Sequence, residues 1–202
     1  MKILAFELSS ARGSLAWRDG DFEWTAQWAN DRKNSGEFFK NVAETQKRFG
    51  MPERIVVGLG PGSYAGTRIA VSTAIGLQIA TKAELVGLSS LCAIECDAVE
   101  YAVVGDARRK SFFLAQVRGN TLAVPPGLHT EAELRIALDS LRTRIPIFAV
   151  EALPQFEGVS VRHPSARILA QLAGEANRAF VLPPLEPMYL REPHITTPKQ
   201  DV

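Results

Sequence analysis

The sequence predicts an α/β protein built from two successive lobes. Short apolar runs of strand length alternate with segments whose apolar residues recur at helical spacing, and this pattern begins again near Tyr101. The chain has 202 residues, of which 46% are hydrophobic, so it can bury one sizeable core or two small ones. We place the boundary after residue 98, which gives a first lobe of residues 1–98 and a smaller second lobe of residues 99–202.

The first lobe is predicted to open with an antiparallel meander and to continue with alternating helices and strands. Asp19-Gly20 supplies a turn, and Gly50 supplies a helix end. Ser89 or Ser90 can cap the last helix. The predicted elements are strands 2–8, 14–17 and 22–28, helix 38–49, strand 55–59, helix 66–81, strand 84–87 and a helix ending at Cys96.

The second lobe repeats the strand and helix pattern. Gly119-Asn120 is a turn signal between two of its strands. Residues 183–202 contain five prolines and are predicted to form a partly extended tail. The predicted elements are strands 102–105 and 112–117, helix 130–141, strand 145–150 and helix 165–178.

Charge and cysteine content limit the function classes. The formal net charge is +1, and neither lobe carries the excess of basic residues expected of a protein that binds nucleic acid without a partner protein. Met1-Lys2 leads directly into the first strand, so we expect no signal peptide or membrane span and a cytoplasmic location. Cys92 and Cys96 fall on one face of a predicted helix, as a buried apolar pair or as a metal or redox site.

A glycine-rich segment, GPGSYAGTR at residues 60–68, directly follows the strand over 55–59. Its glycines let the backbone turn sharply, so that successive N–H groups can converge on an anion or on another backbone. The spacing matches neither the P-loop, which needs a lysine after the glycines, nor the GxGxxG pattern of dinucleotide-binding folds. A phosphate cradle and a tight strand-to-helix connection without a ligand both stay open.

The longer segment GPGSYAGTRIAVSTAIGLQIA at 60–80, with VGLSSL at 86–91, resembles the GPGSFTGLRIG…GLA…SSL signature of the TsaB (YeaZ) family. Weaker matches are ILAFELS at 3–9, GDAR at 105–108 and PMYLR at 187–191. The chain departs from that pattern in three respects. Glu7-Leu8-Ser9 stands where the family usually has Asp-Thr-Ser, Asn34-Ser35 replaces a His-Ser pair, and the second half is short.

The resemblance implies a two-lobed actin-like ATPase fold, as in sugar kinases and heat-shock ATPases, with a shortened second lobe. It also implies a non-catalytic subunit of the bacterial complex that makes threonylcarbamoyladenosine (t6A) at adenosine 37 of tRNA. The catalytic subunit TsaD is then the direct partner, and a TsaE-type ATPase belongs to the larger complex. ATP and metal are expected in those subunits, tRNA contact only indirectly, and a homodimer when this chain is alone.

Helix 66–81 carries few strongly polar side chains besides Arg68 and Gln78. A surface helix normally shows a charged face, so this helix either lies buried in its lobe or presents one face to a second protein. The resemblance implies that it docks on TsaD together with helix 38–49. The expected interface residues are Phe38, Phe39, Val42, Phe49, Gly66, Arg68, Ile69, Ala70, Thr73, Ala74 and Leu77.

The rival function is an independent ATPase or phosphotransferase of the same fold. It requires acidic groups at strand ends to converge on Mg-ATP with the glycine turn. Asp106 can equally well cap its own turn, and Ser63 has neither a GxSxG elbow nor an obvious base. His129, His163 and His194 lie too far apart in sequence for the helical histidine pair of a metallopeptidase. A vestigial nucleotide site would comprise Glu7, Ser9, Ser10, Gly60, Gly62, Ser63 and Asp106.

Overall fold

The structure is a computed structural model that describes residues 1–30 and 35–191, and its framework is two five-stranded sheets. The first sheet has the order β3-β2-β1-β4-β5. Strands β1 to β3 form the predicted antiparallel meander, whereas β4 and β5 run parallel to β1. Its strands are β1 (Lys2–Glu7), β2 (Arg12–Asp19), β3 (Phe22–Ala29), β4 (Arg54–Gly58) and β5 (Glu84–Leu88).

Helices cover both faces of the first sheet. Helices α1 (Ser35–Phe49) and α2 (Tyr64–Thr81) share one apolar cluster with the face that carries Leu4, Phe6 and Ile55. Helix α4 (Ala166–Ala173) packs on the opposite face, against residues such as Ile3 and Val56. The sheet is therefore buried on both sides, which explains the continuous apolar runs of β1 and β4.

The second sheet has the order β10-β9-β6-β7-β8. Its strands are β6 (Glu100–Asp106), β7 (Ser111–Arg118), β8 (Thr121–Thr130), β9 (Ile147–Ala149) and β10 (Val159–Val161). Helix α3 (Glu131–Leu141) buries Leu134 and Leu138 against this sheet. Thr130 and Glu133 form a capping box that fixes the start of α3. The repeated strand and helix pattern is thus confirmed.

Two predicted helices are wrong in length. The helix expected through Cys96 is a single 3-10 turn, Ser90–Ala93, which Ser89 caps. It stops because Ile94 is extended and forms a β-bridge with Pro164. Cys92 and Cys96 therefore do not share a helix face. Helix α4 ends at Ala173, before Gly174, rather than at residue 178.

Strands β8 and β10 were not predicted. The sequence Pro125-Pro126-Gly127 inside β8 is typical of a turn, yet this strand lies at the edge of its sheet, where proline is tolerated. The pairing with β7 shifts register between Leu114 and Gln116, and this irregularity accommodates the two prolines. The three-residue strand β10 is too short to give a periodic signal.

The chain returns to the first sheet after the second is complete. Val181 forms a β-bridge with Gly87, and the Met188 N–H donates to the Leu59 carbonyl over 2.7 Å. Leu185 is buried in the cluster under α1 and α2. The lobe boundary after residue 98 stays a prediction, but α4 and residues 181–188, although late in sequence, pack on the first sheet.

Candidate functional site

The glycine-rich turn at residues 60–66 packs directly against the connection between β1 and β2. The Ser63 N–H donates to the Ser9 carbonyl over 2.6 Å. A Cβ placed on Gly62 would lie 2.1 Å from that carbonyl oxygen, and one on Gly66 would lie 2.1 Å from the Leu8 carbonyl oxygen. Glycine is therefore required at both positions because two backbone segments meet there.

Backbone N–H groups of this turn donate hydrogen bonds to other groups of the same chain. The Gly60 N–H donates to Ser90 Oγ over 2.9 Å, and the Gly66 N–H donates to Ser63 Oγ over 3.2 Å. The Ser89 hydroxyl completes the junction by donating to the Gly60 carbonyl. Of the two interpretations that the sequence left open, the geometry supports the tight strand-to-helix connection.

Glu7 ends β1 with its carboxyl inside the protein. The carboxylate Oε1 accepts the Ser9 N–H over 2.7 Å, and Oε2 finds no hydrogen-bond partner within residues 1–30 and 35–191. A Cβ on Gly58 would lie 1.9 Å from Oε2, so this glycine of β4 provides the room for the carboxyl. Burial raises the pKa of Glu7, and the hydrogen bond that the carboxylate accepts from the Ser9 N–H opposes the rise.

The remaining residues of the vestigial nucleotide site are buried or make local contacts. Ser9 and Ser10 are buried, and the Ser10 hydroxyl bonds with the backbone of Arg12. Ser9 Oγ has no hydrogen-bond partner within residues 1–30 and 35–191. Asp106 accepts the Arg108 N–H over 2.6 Å and pairs with the Arg108 guanidinium at 3.2 Å. Asp106 therefore orders its own turn, which is one of the two roles that the sequence allowed.

These contacts do not fit a magnesium–nucleotide site of the kind that the fold class implies. Such a site needs an acidic group facing the ligand and N–H groups free to bind phosphate. Here the Glu7 carboxyl is sequestered beneath Gly58, and the N–H groups of Gly60, Ser63 and Gly66 are already used within the chain. The expectation that this chain binds no cofactor alone stays a prediction.

The expected partner interface divides into buried and exposed residues. Phe38, Val42, Gly66, Ala70 and Ala74 are buried within this chain, which leaves them little surface for a partner, and their partner role stays a prediction. The face of α2 that carries Ala70 and Ala74 packs on β4 and β5 instead. The residues left at or near the surface are Phe39, Phe49, Arg68, Ile69, Thr73 and Leu77, for which the partner role stays a prediction.

Sequence reasoning missed the outward face of α2. Ile75 and Ile79 are exposed there, and Ile79 keeps 66% of its surface accessible. At the start of the helix, the Tyr64 ring packs against the Tyr189 ring in a tilted arrangement with centroids 5.3 Å apart, and the Arg68 guanidinium lies over the Tyr64 ring. The sequence signal that could have revealed this face is the isoleucine pair at i, i+4 in a helix that has no charged residue after Arg68.

Two cavities lie beside the cysteines. Cys92 faces a cavity of about 870 Å³ bordered by the 3-10 turn, the β7–β8 turn and residues 175–181. Burial raises the pKa of its thiol to about 11, so the thiol stays protonated and unreactive. Cys96 borders a second cavity of about 450 Å³. The described part of the chain contains no group of three histidine, cysteine or acidic residues that could hold a metal, and His194 lies outside it.

Comparison with solved structures identifies the fold. YeaZ from Pseudomonas aeruginosa superposes with a TM-score of 0.67 at 22% identity, covering 86% of this chain and 90% of that one. The chain has the YeaZ fold. A Pseudomonas aeruginosa protein described as uncharacterized, with similarity to peptidase YeaZ, superposes with a TM-score of 0.75 at 23% identity, covering 94% and 99%. The predicted actin-like architecture, to which YeaZ belongs, is confirmed.

Sequence comparisons add a family match to the YeaZ fold. Residues 39–135 match the family described as TsaD, tRNA N6-adenosine threonylcarbamoyltransferase. Uncharacterized proteins of Mycobacterium tuberculosis and Mycobacterium bovis are 29% identical over 145 residues, or 70% of this chain. The aligned part spans 65% of the length of those relatives. Together these findings support the resemblance to the TsaB (YeaZ) family.

The YeaZ comparison leaves some expectations untested. Asn34, where the family usually has a different residue, lies outside the described residues. No helix within residues 1–30 and 35–191 has the length and apolar character needed to cross a membrane. The cytoplasmic location, the partners and the non-catalytic status stay predictions.

Proposed function

We propose that this chain is a non-catalytic scaffold subunit that binds a TsaD-type catalytic subunit. In this role it supports threonylcarbamoyl transfer to N6 of adenosine 37 of tRNA. The YeaZ fold and the match to the TsaD family support a protein of the t6A pathway. The observation that carries the scaffold role is the uncharged outward face of α2.

This face differs from the surface of an ordinary monomeric helix. Between Arg68 and Lys82 helix α2 contains no charged residue, although Ser72, Ile75 and Ile79 are exposed. A helix that faces only water normally turns a charged stripe outward. The contrast with α1, whose outward side carries Lys40, Glu44 and Lys47, favours a protein partner at α2 rather than solvent.

The family match favours a TsaD-type subunit as that partner. The matching residues, 39–135, include most of α1 and the whole of α2. Two proteins that share this part of the fold can pair through equivalent faces about an approximate twofold axis. The same geometry allows two copies of this chain to pair when the catalytic subunit is absent.

Substitution of Ile79 by glutamate tests the proposal. Because 66% of the Ile79 surface is accessible, the variant should fold, while a charge on the outward face should weaken partner binding on the order of 100-fold. Ile136→Glu is the matched control, since Ile136 is 73% exposed on α3. The measurement is size-exclusion chromatography with light scattering, using the TsaD-type subunit from the same source.

The expected outcome is a one-to-one heterodimer for the wild type and the Ile136 variant, but separate subunits for the folded Ile79 variant. A wild-type chain that forms no complex with the TsaD-type subunit would contradict the scaffold role. A heterodimer unaffected by Ile79→Glu would contradict the assignment of the interface to this face.

A further inference from the structure

The turn between β6 and β7 has an unusual backbone. Arg108, Arg109 and Lys110 have φ angles of 66°, 53° and 59°, so three successive non-glycine residues are left-handed. For L-amino acids this conformation brings Cβ close to the following carbonyl oxygen, and it normally occurs at single glycine, asparagine or aspartate positions. A run of three basic residues in this conformation is strained.

Neighbouring groups hold the turn in place. The Asp106 carboxylate accepts the Arg108 N–H, and the Ala107 N–H donates to the Ser111 carbonyl over 2.9 Å. Below the turn, the Asp106 N–H donates to the Glu151 carboxylate over 2.8 Å. These backbone contacts require no basic side chain at 109 or 110, so glycine or asparagine would serve the fold better. The backbone contacts of the turn therefore do not account for the basic side chains at 109 and 110.

The turn concentrates positive charge at the surface. The Arg108 side chain is 74% exposed and pairs with Asp106. Neither Arg109 nor Lys110 lies within ion-pair distance of a carboxylate of residues 1–30 or 35–191, and both are exposed. The Arg191 guanidinium reaches the base of the turn by donating to Ser111 Oγ. The turn and its base thus carry four cationic residues, Arg108, Arg109, Lys110 and Arg191, and two carboxylates, those of Asp106 and Glu151, on a chain whose net charge is only +1.

We propose that the basic turn, residues 108–110, binds the phosphate backbone of RNA. Exposed cations on a surface turn match a polyanion that passes along the surface, whereas a small free anion needs donors that converge from several sides. This inference rests on the proposed function, whose substrate is a tRNA. It gives this chain a direct contact with the RNA, in addition to the indirect one that the sequence indicated.

The test compares two double variants in an RNA-binding assay. Arg109→Asn with Lys110→Asn removes two charges, while asparagine tolerates the left-handed backbone. Arg142→Asn with Arg144→Asn is the control, because it removes two exposed arginines of the same lobe. The probe is an unmodified tRNA transcript, bound by the chain alone at low salt and by its complex with the TsaD-type subunit from about 50 to about 200 mM salt.

The variant of the basic turn should bind the transcript about tenfold more weakly, and the slope of log affinity against log salt should shrink by about 2, one unit per lost phosphate contact. The control should match the wild type. The melting temperature of the Asn variant should equal or exceed that of the wild type, because asparagine relieves backbone strain. A purely structural role for Arg109 and Lys110 predicts the opposite change in stability.

Unchanged RNA affinity and salt slope in the Asn variant would overturn the proposal. So would a variant that loses the TsaD-type subunit while the chain alone binds RNA normally, because the turn would then be a protein contact. Failure of the proposed function is seen separately, as a wild-type chain that forms no complex. In that event the assay on the chain alone still compares the two variants.

Discussion

Glu7 shows how far one residue could be predicted. The sequence correctly places an acidic side chain at the end of β1, where an actin-like ATPase would organise a metal. It does not reveal that the carboxyl packs under Gly58, because that contact depends on the register of β4 beside β1. Gly58 on the neighbouring strand thus leaves room for the Glu7 carboxyl to be buried, where it cannot face a metal ion.

The buried carboxyl should make stability depend on pH. The folded-state pKa of Glu7 is raised above its ordinary value of 4.5. Below pH 4.5 the carboxyl is protonated in the folded protein, so its contribution to stability is fully present there. Stability should fall as pH rises from there through the folded-state pKa, because ionisation leaves a buried charge. Glu7→Gln should remove this part of the pH dependence, as measured by urea unfolding at several pH values.

The exposed Glu44 on α1 supplies the control for this experiment, since Glu44→Gln changes the same functional group in water. The expected result is a stability curve parallel to that of the wild type. If Glu7→Gln also follows the wild-type curve, the Glu7 carboxyl does not titrate differently in the folded and unfolded states.

At the scale of elements, α2 was predicted in its position but not in its orientation. Its apolar and small residues surround the axis, so the periodicity could not select the face that packs on the sheet. Ala70 and Ala74 are buried, so substitution of either by arginine would place an unpaired charge in the core and unfold the lobe. The exposed Ile79 is therefore the informative position for a test of partner binding.

Helix α3 illustrates an element whose start was predictable from local chemistry. Thr130 Oγ1 accepts the Glu133 N–H, and the Glu133 carboxylate accepts the Thr130 N–H over 2.8 Å. Thr130→Ala should lower the free energy of unfolding by about 1 kcal/mol, whereas Thr130→Ser should retain most of it. Chemical denaturation of both variants checks this, and equal losses would show that the hydroxyl cap does not stabilise α3.

For the whole molecule, the sequence predicted two successive α/β units but not the return of the chain. Short-range patterns reveal strands and helices, whereas the docking of α4 on β1 and β2 joins residues about 150 positions apart. The same limit applies to Pro183-Pro184 and the residues after them. Their composition predicts an extended tail, but it does not predict that Val181, just before them, pairs with Gly87 of the edge strand β5, or that the Met188 N–H donates to the Leu59 carbonyl.

The returning segment should contribute measurably to stability. Leu185 is buried in the cluster under α1 and α2, so Leu185→Ala should lower the free energy of unfolding by about 2–4 kcal/mol. Leu182→Ala is the matched control, because Leu182 is 65% exposed, and it should change stability by less than about 0.5 kcal/mol. Equal effects in urea unfolding would mean that the segment is not part of the core.

The placement of α4 also bears on how the chain folds during synthesis. The first sheet has strand β1 at its centre, yet one of its faces stays uncovered until residues 166–173 have left the ribosome. At about 5–20 residues per second, this leaves apolar residues such as Ile3 and Val56 exposed for on the order of ten seconds. We therefore expect the nascent first lobe to be a client of ribosome-associated chaperones until α4 arrives.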